Sequence, residues 1–451
     1  MIAPARAAAF TALREVNAGR ADLPAALAAV RPTLQDERDR ALTTDLVTGT
    51  LRWQGQLDYL IAHFARRPLT RLDVEVLQIL RLGAYQLLHL DRVPAAAAVN
   101  DAVAMTRRAR KTSAAGLVNA VLRAISRNAR RLPLPVRPPA GDPLAYLEVS
   151  LSHPGWLAAR WLGRYGFEVA EAWEQFNNAA APLTIRVNRL KTDRDALTRA
   201  LAGHGVGVEP ARYAPDGLIV TSGNPLRTPL AGTGQFVLQD EASQLVALLV
   251  APEPGMKVLD TCASPGGKTT AMAAMAGDRA EIVATDVRSA RVQLLRDTVG
   301  ASGASSIRVL QADLEAGLPF GPEFDVVFVD APCSGLGTVR RDPDIRWRRA
   351  EADLAPLASA QLKMIRNAAE AVRPGGRLIY ATCSSEPEEN QRVVADFLAG
   401  SGRFAEIDLR AERPAGFDAL EAVLDEGGVL RTSPHRHGLE AFYGAVLRRV
   451  K

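Results

Sequence analysis

Short apolar runs alternate with helix-length segments in the second half of the chain, and this alternation limits the possible folds most strongly. The runs are rich in Val, Ile and Leu and are too short to be core helices. They span 256–261, 281–286, 307–312, 324–329 and 377–381, with a last strand at 441–449. Between them, stretches such as 289–300 and 354–372 have the length of helices. The pattern predicts a Rossmann-like α/β domain with a doubly wound parallel sheet.

Reactive side chains follow these predicted strands at their C-terminal ends. They are Cys262 after the first strand, Asp286 and Asp313 after the next two, Asp330 and Cys333 after the fourth, and Cys383 after the fifth. Parallel α/β sheets bind ligands at this edge. All three cysteines of the 451-residue chain fall there. The sequence therefore predicts one site along the edge.

The loop after the first strand favours a nucleoside ligand without phosphates. Gly266 and Gly267 let backbone N–H groups approach a ligand at the start of the next helix. A triphosphate-binding loop is the alternative, but it needs a glycine where Cys262 stands. Asp286 is placed to accept hydrogen bonds from ribose hydroxyls, and Asp313 to face an adenine amino group. Single aspartates often cap helices, but three in register with the glycines favour S-adenosylmethionine.

The cysteines suggest a covalent reaction at a pyrimidine. Residues 386–389 have the composition of a first helical turn, so Cys383 is predicted beside a helix N-terminus that stabilises its thiolate. A buried, inert cysteine is the alternative. C5 of cytosine becomes nucleophilic once a thiolate adds to C6, and an acid such as Asp330 would bind N3. Cys333 and Cys383 both suit this role, and the residues alone do not choose between them.

Charge divides the chain unevenly. Residues 1–150 hold 21 Lys and Arg against 13 Asp and Glu, and residues 102–141 hold nine basic residues and no acid. An acid-free stretch of this length indicates a polyanion partner. Residues 1–128 show helical periodicity, and five prolines within 132–143 predict a linker. The aromatic residues between 156 and 173 are expected in a core rather than as stacking platforms for bases.

Other features exclude several classes of protein. No apolar run reaches the roughly 18 residues of a membrane span, and the first ten residues lack a secretory h-region. Three cysteines without a CxxC pair, and six scattered histidines, predict neither a disulfide framework nor a metal site. We therefore expect a cytoplasmic protein, without a metal or a membrane partner, and a monomer.

Three longer motifs carry a family resemblance. DTCASPGGKTT, VDAPCSGLGTVRRDPDIRW and PGGRLIYATCSSEPEENQRVV closely resemble the Sun (RsmB, Fmu) family of bacterial 16S rRNA 5-methylcytosine methyltransferases. LRLGAYQLLHLDRVPAAAAVNDAV and GLVNAVLR resemble the NusB-like RNA-binding domain. Ser264 replaces an alanine usual in the family, and an Asp-Gly-Phe-like element becomes Glu440-Ala441-Phe442, which leaves the role of that segment open.

The resemblance implies roles for individual residues. Cys383 becomes the nucleophile, and Cys333 becomes the residue that assists release of the enzyme from the product. Asp330 lies beside the cytosine. The implied cofactor site consists of Cys262, Ala263, Ser264, Pro265, Gly266, Gly267, Lys268, Asp286, Asp313 and Asp330. Candidate RNA contacts are Arg107, Arg108, Arg110, Lys111, Arg123, Arg127 and Arg186.

The predicted organisation has four parts. They are a NusB-like all-α bundle over 1–130, a linker over 131–145, a small α+β region over 146–250 and the methyltransferase domain over 251–451. The expected substrate is 16S rRNA or an early small-subunit particle. A tRNA or DNA cytosine-C5 methyltransferase and a non-catalytic RNA-binding protein are the alternatives.

Overall fold

The computed structural model describes residues 2–450 and divides the chain into two compact units. The first unit contains the residues up to Ala180 together with Val339–Glu351. The second contains Ala181–Thr338 and the residues from Ala352 onward. The predicted region 146–250 is thus divided between the units, because its helices pack with the N-terminal bundle.

The first unit is helical, as the periodicity predicts. Its helices are Pro4–Asn17 (α1), Leu23–Val30 (α2), Glu37–Arg52 (α3), Gln54–Ala65 (α4), Val74–His89 (α5), Ala95–Arg108 (α6), Ala115–Asn128 (α7), Gly155–Tyr165 (α8) and Phe167–Asn178 (α9). Asp22, Asp36 and Asp73 cap three of them by accepting hydrogen bonds from backbone N–H groups. One apolar stripe from each of α1 to α7 lines a shared core.

Residues 339–351 complete this unit although they come from the middle of the second half of the sequence. They include the one-turn helix Ile345–Arg348. Arg346 is fully buried and donates to the carbonyls of Ser152 and Asn177 and to Asn178 Oδ1, at 2.9, 3.3 and 3.0 Å. Trp347 Nε1 donates to the carbonyl of Leu51 at 2.6 Å. Hydrogen bonds thus connect this segment to α3 and to the C-terminal end of α9.

The proline-rich segment is also held by side chains. Arg137 Nε donates to Glu171 Oε1 at 2.7 Å, and its guanidinium lies 5.2 Å from the centre of the Phe167 ring.

Trp161 and Trp173 stack in the core with ring centres 5.2 Å apart. These two tryptophans are therefore core residues, as expected.

A small antiparallel sheet begins the second unit. Its strands are Thr184–Val187 (β1), Gly207–Pro210 (β2), Gly217–Ser222 (β3) and Phe236–Leu238 (β4), in the order β2-β3-β1-β4. The helix Arg194–Gly203 (α10) packs against the sheet through Leu197 and Leu201. Asp193 caps this helix.

The main sheet has five parallel strands and an antiparallel extension. Its strands are Lys257–Asp260 (β5), Glu281–Asp286 (β6), Ile307–Gln311 (β7), Phe324–Asp330 (β8), Val372–Thr382 (β9), Phe404–Glu406 (β10), Leu430–Arg431 (β11) and Tyr443–Arg449 (β12). Their order is β10-β12-β9-β8-β5-β6-β7, with β11 paired to β12. The last predicted strand exists, but it runs antiparallel to β9, so the sheet is mixed.

Helices cover both faces of this sheet. They are Glu241–Leu248 (α11), Gly267–Met275 (α12), Ser289–Ser302 (α13), Leu354–Ala369 (α14) and Gln391–Gly400 (α15), with short helices at Leu409–Glu412, Phe417–Glu421 and Pro434–His437. Successive strand residues enter opposite cores: Val258 lies in one and Leu259 in the other. Burial on both faces explains why the strands are apolar throughout. The doubly wound prediction is confirmed for β5 to β9.

Arg346 provides a stability test for the first unit. Burial lowers the pKa of Arg346 to about 9, so it remains largely charged at neutral pH. Arg346→Ala leaves buried carbonyls without a donor and should lower the free energy of unfolding by about 3 kcal/mol. Arg20→Ala, which removes an exposed ion pair with Glu15 in the same unit, should lower the free energy of unfolding much less.

Tryptophan fluorescence during urea unfolding measures this effect selectively. All five tryptophans of the chain lie in the first unit: Trp53, Trp156, Trp161, Trp173 and Trp347. Equal unfolding midpoints for the two variants would contradict a stabilising role for Arg346.

Candidate active site

The C-terminal ends of the five parallel strands, β5 to β9, border a cavity of about 560 Å³. Eight predicted site residues line it: Cys262, Ser264, Lys268, Asp286, Asp313, Asp330, Cys333 and Cys383. The volume lies within the range of about 300–1,000 Å³ that is typical of small-molecule sites. The structure therefore brings together the reactive residues that the sequence places at the strand ends.

The loop between β5 and α12 forms one wall. Ser264 Oγ donates to the carbonyl of Arg291, and Arg291 Nη2 donates to the carbonyl of Ser264, both at 3.0 Å. The serine that departs from the family pattern thus adds a hydrogen bond between the loop and α13. Gly266 has a φ of +103°, and a Cβ there would lie 2.9 Å from Leu295. Gly266 therefore serves loop packing, whereas Ala263, Pro265 and Gly267 line a neighbouring cavity.

The carboxylates of Asp286 and Asp313 face the cavity from the ends of adjacent strands. Asp286 is buried, accepts from the backbone N–H of Arg288 at 3.3 Å and lies 3.4 Å from Arg291 Nε. Asp313 Oδ1 accepts from the backbone N–H of Glu315 at 2.9 Å, so it caps a turn as well. Two acceptors on one wall suit a ligand that carries hydroxyl and amino groups.

A lysine and an aspartate form an ion pair between this cavity and a second one of about 230 Å³. Lys268 Nζ donates to Asp330 Oδ2 at 2.7 Å and lies 5.7 Å from the centre of the Phe442 ring. Burial lowers the pKa of Lys268, but the charges of Asp330 and Cys383 outweigh burial and the net pKa is raised. The ammonium therefore stays charged in the cavity that the Cys383 thiol also lines.

The sequence prediction missed several residues of the second cavity, among them Asp240 and Phe442. Asp240 caps α11, and Phe442 precedes β12; both line the second cavity together with Lys268 and Asp330. A cap and an apolar residue before a strand carry no local sign of a site. The only indication for Phe442 was that it belongs to Glu440-Ala441-Phe442, where the sequence departs from the family pattern.

The Cys333 and Cys383 thiols are in contact, with their Sγ atoms 3.3 Å apart. Both are reduced thiols and partly buried. The contact with Cys383, followed by burial, raises the pKa of the Cys333 thiol well above its usual value. Burial likewise raises the pKa of Cys262. Either thiol can therefore donate a hydrogen bond to the other across this contact.

The predicted helix at 386–389 is wrong, because α15 begins only at Gln391. Residues between Ser384 and Asn390 form a turn whose polar side chains point back to the strand end. Thr382 Oγ1 donates to Asn390 Oδ1 at 2.5 Å, and Asn390 Nδ2 donates to the carbonyl of Ser384 at 2.9 Å. Side-chain hydrogen bonds, rather than a helix N-terminus, thus hold the Cys383 backbone.

The candidate RNA contacts divide into three groups. Five arginines are exposed on the first unit: Arg107, Arg108, Arg110, Arg123 and Arg127. Lys111 Nζ lies 2.6 Å from Asp73 Oδ2, so its charge is already partnered. Arg186 corrects the prediction: it is 4% exposed and donates to Thr270 Oγ1 at 2.9 Å, so its burial prevents a phosphate contact.

Residues 2–450 contain neither a cluster of metal-binding side chains nor a helix that could span a membrane. No three His, Cys, Asp or Glu side chains in that range are grouped to hold a metal ion. Every helix described there is too short or too polar to span a bilayer.

Family profiles match three stretches of the chain. Residues 247–448 match the family described as 16S rRNA methyltransferase RsmB/F. Residues 3–127 match the NusB family, and residues 153–227 match the ferredoxin-like domain of RsmF/B-like methyltransferases. The last range includes α8 and α9, which pack in the first unit.

Curated relatives and solved structures agree with these profiles. The ribosomal RNA small subunit methyltransferase B of Pseudomonas putida is 37% identical over 90% of this chain and 92% of its own length. The probable enzyme of the same name from Bacillus subtilis is 34% identical over 92% and 91%.

Among solved structures, PH0851 has a TM-score of 0.82 at 25% identity, covering 100% of this chain and 99% of its own. A methyltransferase homolog from Pyrococcus horikoshii has a TM-score of 0.58 at 27% identity, covering 70% of this chain and 100% of its own. With full-length relatives above 30% identity and matching profiles for both ends of the chain, this protein belongs to the RsmB/F methyltransferase family and carries an N-terminal NusB domain.

Proposed function

We propose that this chain transfers a methyl group from S-adenosylmethionine to C5 of a cytosine in the RNA of the small ribosomal subunit, with Cys383 as the nucleophile. The observation that carries the proposal is the pair of thiols 3.3 Å apart at the edge of a nucleoside-sized cavity. A DNA substrate is less well supported, since the chain combines its methyltransferase domain with a NusB domain. A non-catalytic protein would have no use for both thiols beside the Lys268–Asp330 pair.

The residues of the larger cavity fit S-adenosylmethionine. Asp286 would accept from the ribose hydroxyls and Asp313 from the adenine amino group. The loop over 262–267 lacks the glycine pattern that phosphates require. When bound, the cofactor supplies an electrophilic methyl group on a sulfonium.

The chain's own residues would handle the base. The Cys383 thiolate adds to C6, which forms the S–C6 bond and makes C5 nucleophilic. Asp330, protonated at this step, donates its proton to N3, and Lys268 donates to the neighbouring oxygen, so that the negative charge that develops in the ring is stabilised. After C5 gains the methyl group, the C5 proton passes to the Cys333 thiolate, the C5=C6 bond forms again and the Cys383 sulfur leaves as a thiolate. The nucleophilic role of Cys383 is assigned from the resemblance of its motif to the family pattern, because the contact between the two thiols is symmetric.

The cofactor site is tested by Asp286→Ala. The substitution removes charge-assisted hydrogen bonds worth about 1.5–3 kcal/mol, so S-adenosylmethionine should bind roughly tenfold more weakly or worse. Asp297→Ala is the control, because Asp297 is exposed on α13 and contacts Gln293. Calorimetric affinities that are equal for the two variants would remove Asp286 from the site.

The two thiols act at different steps, which gives a second test. Cys383→Ala should neither form a covalent adduct nor methylate RNA, because nucleophilic attack comes first. Cys333→Ala should attack and transfer the methyl group, then stall as a protein–RNA complex because release is impaired.

Denaturing gels after incubation with rRNA and labelled cofactor measure both outcomes. A slow-migrating labelled band from Cys333→Ala alone is the expected result. The same band from Cys383→Ala alone would reverse the two roles, and methylation by both variants would overturn the covalent mechanism.

The exposed arginines of the acid-free stretch provide the third test. Replacing Arg107, Arg108, Arg123 and Arg127 by Gln should flatten the plot of log affinity for rRNA against log salt, because fewer counterions are released. The slope should fall by roughly 0.7–0.9 for each phosphate that the variant no longer neutralises.

A matched variant replaces four exposed arginines elsewhere on the first unit, namely Arg31, Arg66, Arg67 and Arg71. It should change the slope less. Equal changes in both variants would mean that the acid-free surface has no special part in RNA binding.

A further inference from the structure

A buried carboxylate joins the two cysteine loops. Glu389 is fully buried, and each of its two carboxylate oxygens accepts two hydrogen bonds. Oε1 accepts from the backbone N–H of Ser334 at 2.8 Å and from Gln361 Nε2 at 3.0 Å. Oε2 accepts from the hydroxyls of Ser334 and Ser384, both at 2.5 Å.

These partners stand directly beside the reactive thiols in the chain. Ser334 follows Cys333, Ser384 follows Cys383, and the two serine hydroxyls are 3.2 Å apart. One side chain therefore connects the residue after each cysteine. A change in its position would alter the separation of the two loops.

A second layer of hydrogen bonds holds Glu389 itself. Tyr380, on β9, donates its hydroxyl to the carbonyl of Glu389 at 2.6 Å. Gln361, on α14, donates to the carbonyl of Pro332 at 2.9 Å as well as to the carboxylate. The residues on both sides of Cys333 are thus linked to the same group.

The energetic cost of this arrangement indicates a function. Burying a carboxylate costs several kcal/mol unless donors compensate for the lost water. Here four donors do so, and charge-assisted hydrogen bonds have well-defined geometry. Glu389 does not line the cavity, so it touches neither cofactor nor base.

We propose that Glu389 is a positioning residue that sets the spacing of the Cys333 and Cys383 thiols, so that Cys333 reaches the adduct formed on Cys383. This inference rests on the proposed covalent function. The spacing of the thiols itself can be measured without RNA.

Two substitutions separate position from charge. In Glu389→Gln the amide oxygen can accept from the two N–H donors, and the amide N–H groups can donate to the serine hydroxyls, which can turn to accept. The hydrogen bonds that join the two cysteine loops are kept, and the negative charge is lost. Glu389→Ala removes both. Glu388→Ala is the control, since that neighbouring carboxylate pairs with the exposed side chain of Arg392.

The first measurement is the rate at which diamide, a two-electron oxidant, joins the two thiols. The reaction forms one S–S bond, and both thiol protons pass to the reduced reagent. Glu389→Ala should react about tenfold more slowly or worse, since a misplacement of about 1 Å can cost two orders of magnitude. Glu389→Gln and Glu388→Ala should stay close to the unchanged protein.

The second measurement is the release of methylated rRNA from the labelled covalent complex. Glu389→Ala should accumulate that complex, and Glu389→Gln should restore release. Retained calorimetric affinity for S-adenosylmethionine shows that each variant is folded. If the alanine variant fails to fold, Ser384→Ala, which leaves three donors on the carboxylate, should show the same defects to a smaller degree.

Unchanged oxidation and release in Glu389→Ala would overturn the proposal. A Gln variant as slow as the Ala variant would also overturn it, because charge rather than position would then be responsible. Failure of the covalent function would appear separately, as methylation by both cysteine variants, while the oxidation rates would still test the positioning.

Discussion

The hydrogen-bond register between β8 and β9 is the constraint on which the site depends. Asp330 pairs with Ala381, so the two strands end side by side. The pairing continues beyond the strands: the N–H of Ala331 donates to the carbonyl of Ala381 at 2.8 Å, and that of Gly337 to the carbonyl of Cys383 at 2.9 Å. A slip of one residue would turn every side chain of a strand to the opposite face. The two thiols are in contact because these backbone hydrogen bonds fix the positions of both cysteine loops.

The main features of the site were predictable because they depend on short-range patterns. A buried parallel strand needs an apolar run, and its C-terminal end faces a ligand, so Asp286 and Asp330 are recognisable by position alone. The role of Glu389 is different. Its partner Ser334 lies 55 residues away, and carboxylates around a proline have the same composition as a first helical turn. Local composition therefore predicted a helix where long-range hydrogen bonds form a turn.

Charge was the least predictable property, because a sequence does not show which charges are buried. Arg186 and Arg346 are buried and hydrogen-bonded within the protein, and Arg137 is paired with Glu171. The exposed arginines near α6 and α7 differ from these only in their surroundings. Desolvation and pairing depend on tertiary contacts, so a count of charges predicts a polyanion partner but not the individual contacts.

The segment Val339–Glu351 shows that a family motif need not be catalytic along its whole length. VDAPCSGLGTVRRDPDIRW contains Asp330 and Cys333, which line the cavity, but also Arg346 and Trp347, which belong to the first unit. The arginine is enclosed by carbonyls and the indole is hydrogen-bonded to α3, so both are constrained by packing rather than by chemistry. One continuous motif therefore combines two physical requirements: the first part must place a thiol beside Cys383, and the second must satisfy buried polar groups in a helical core.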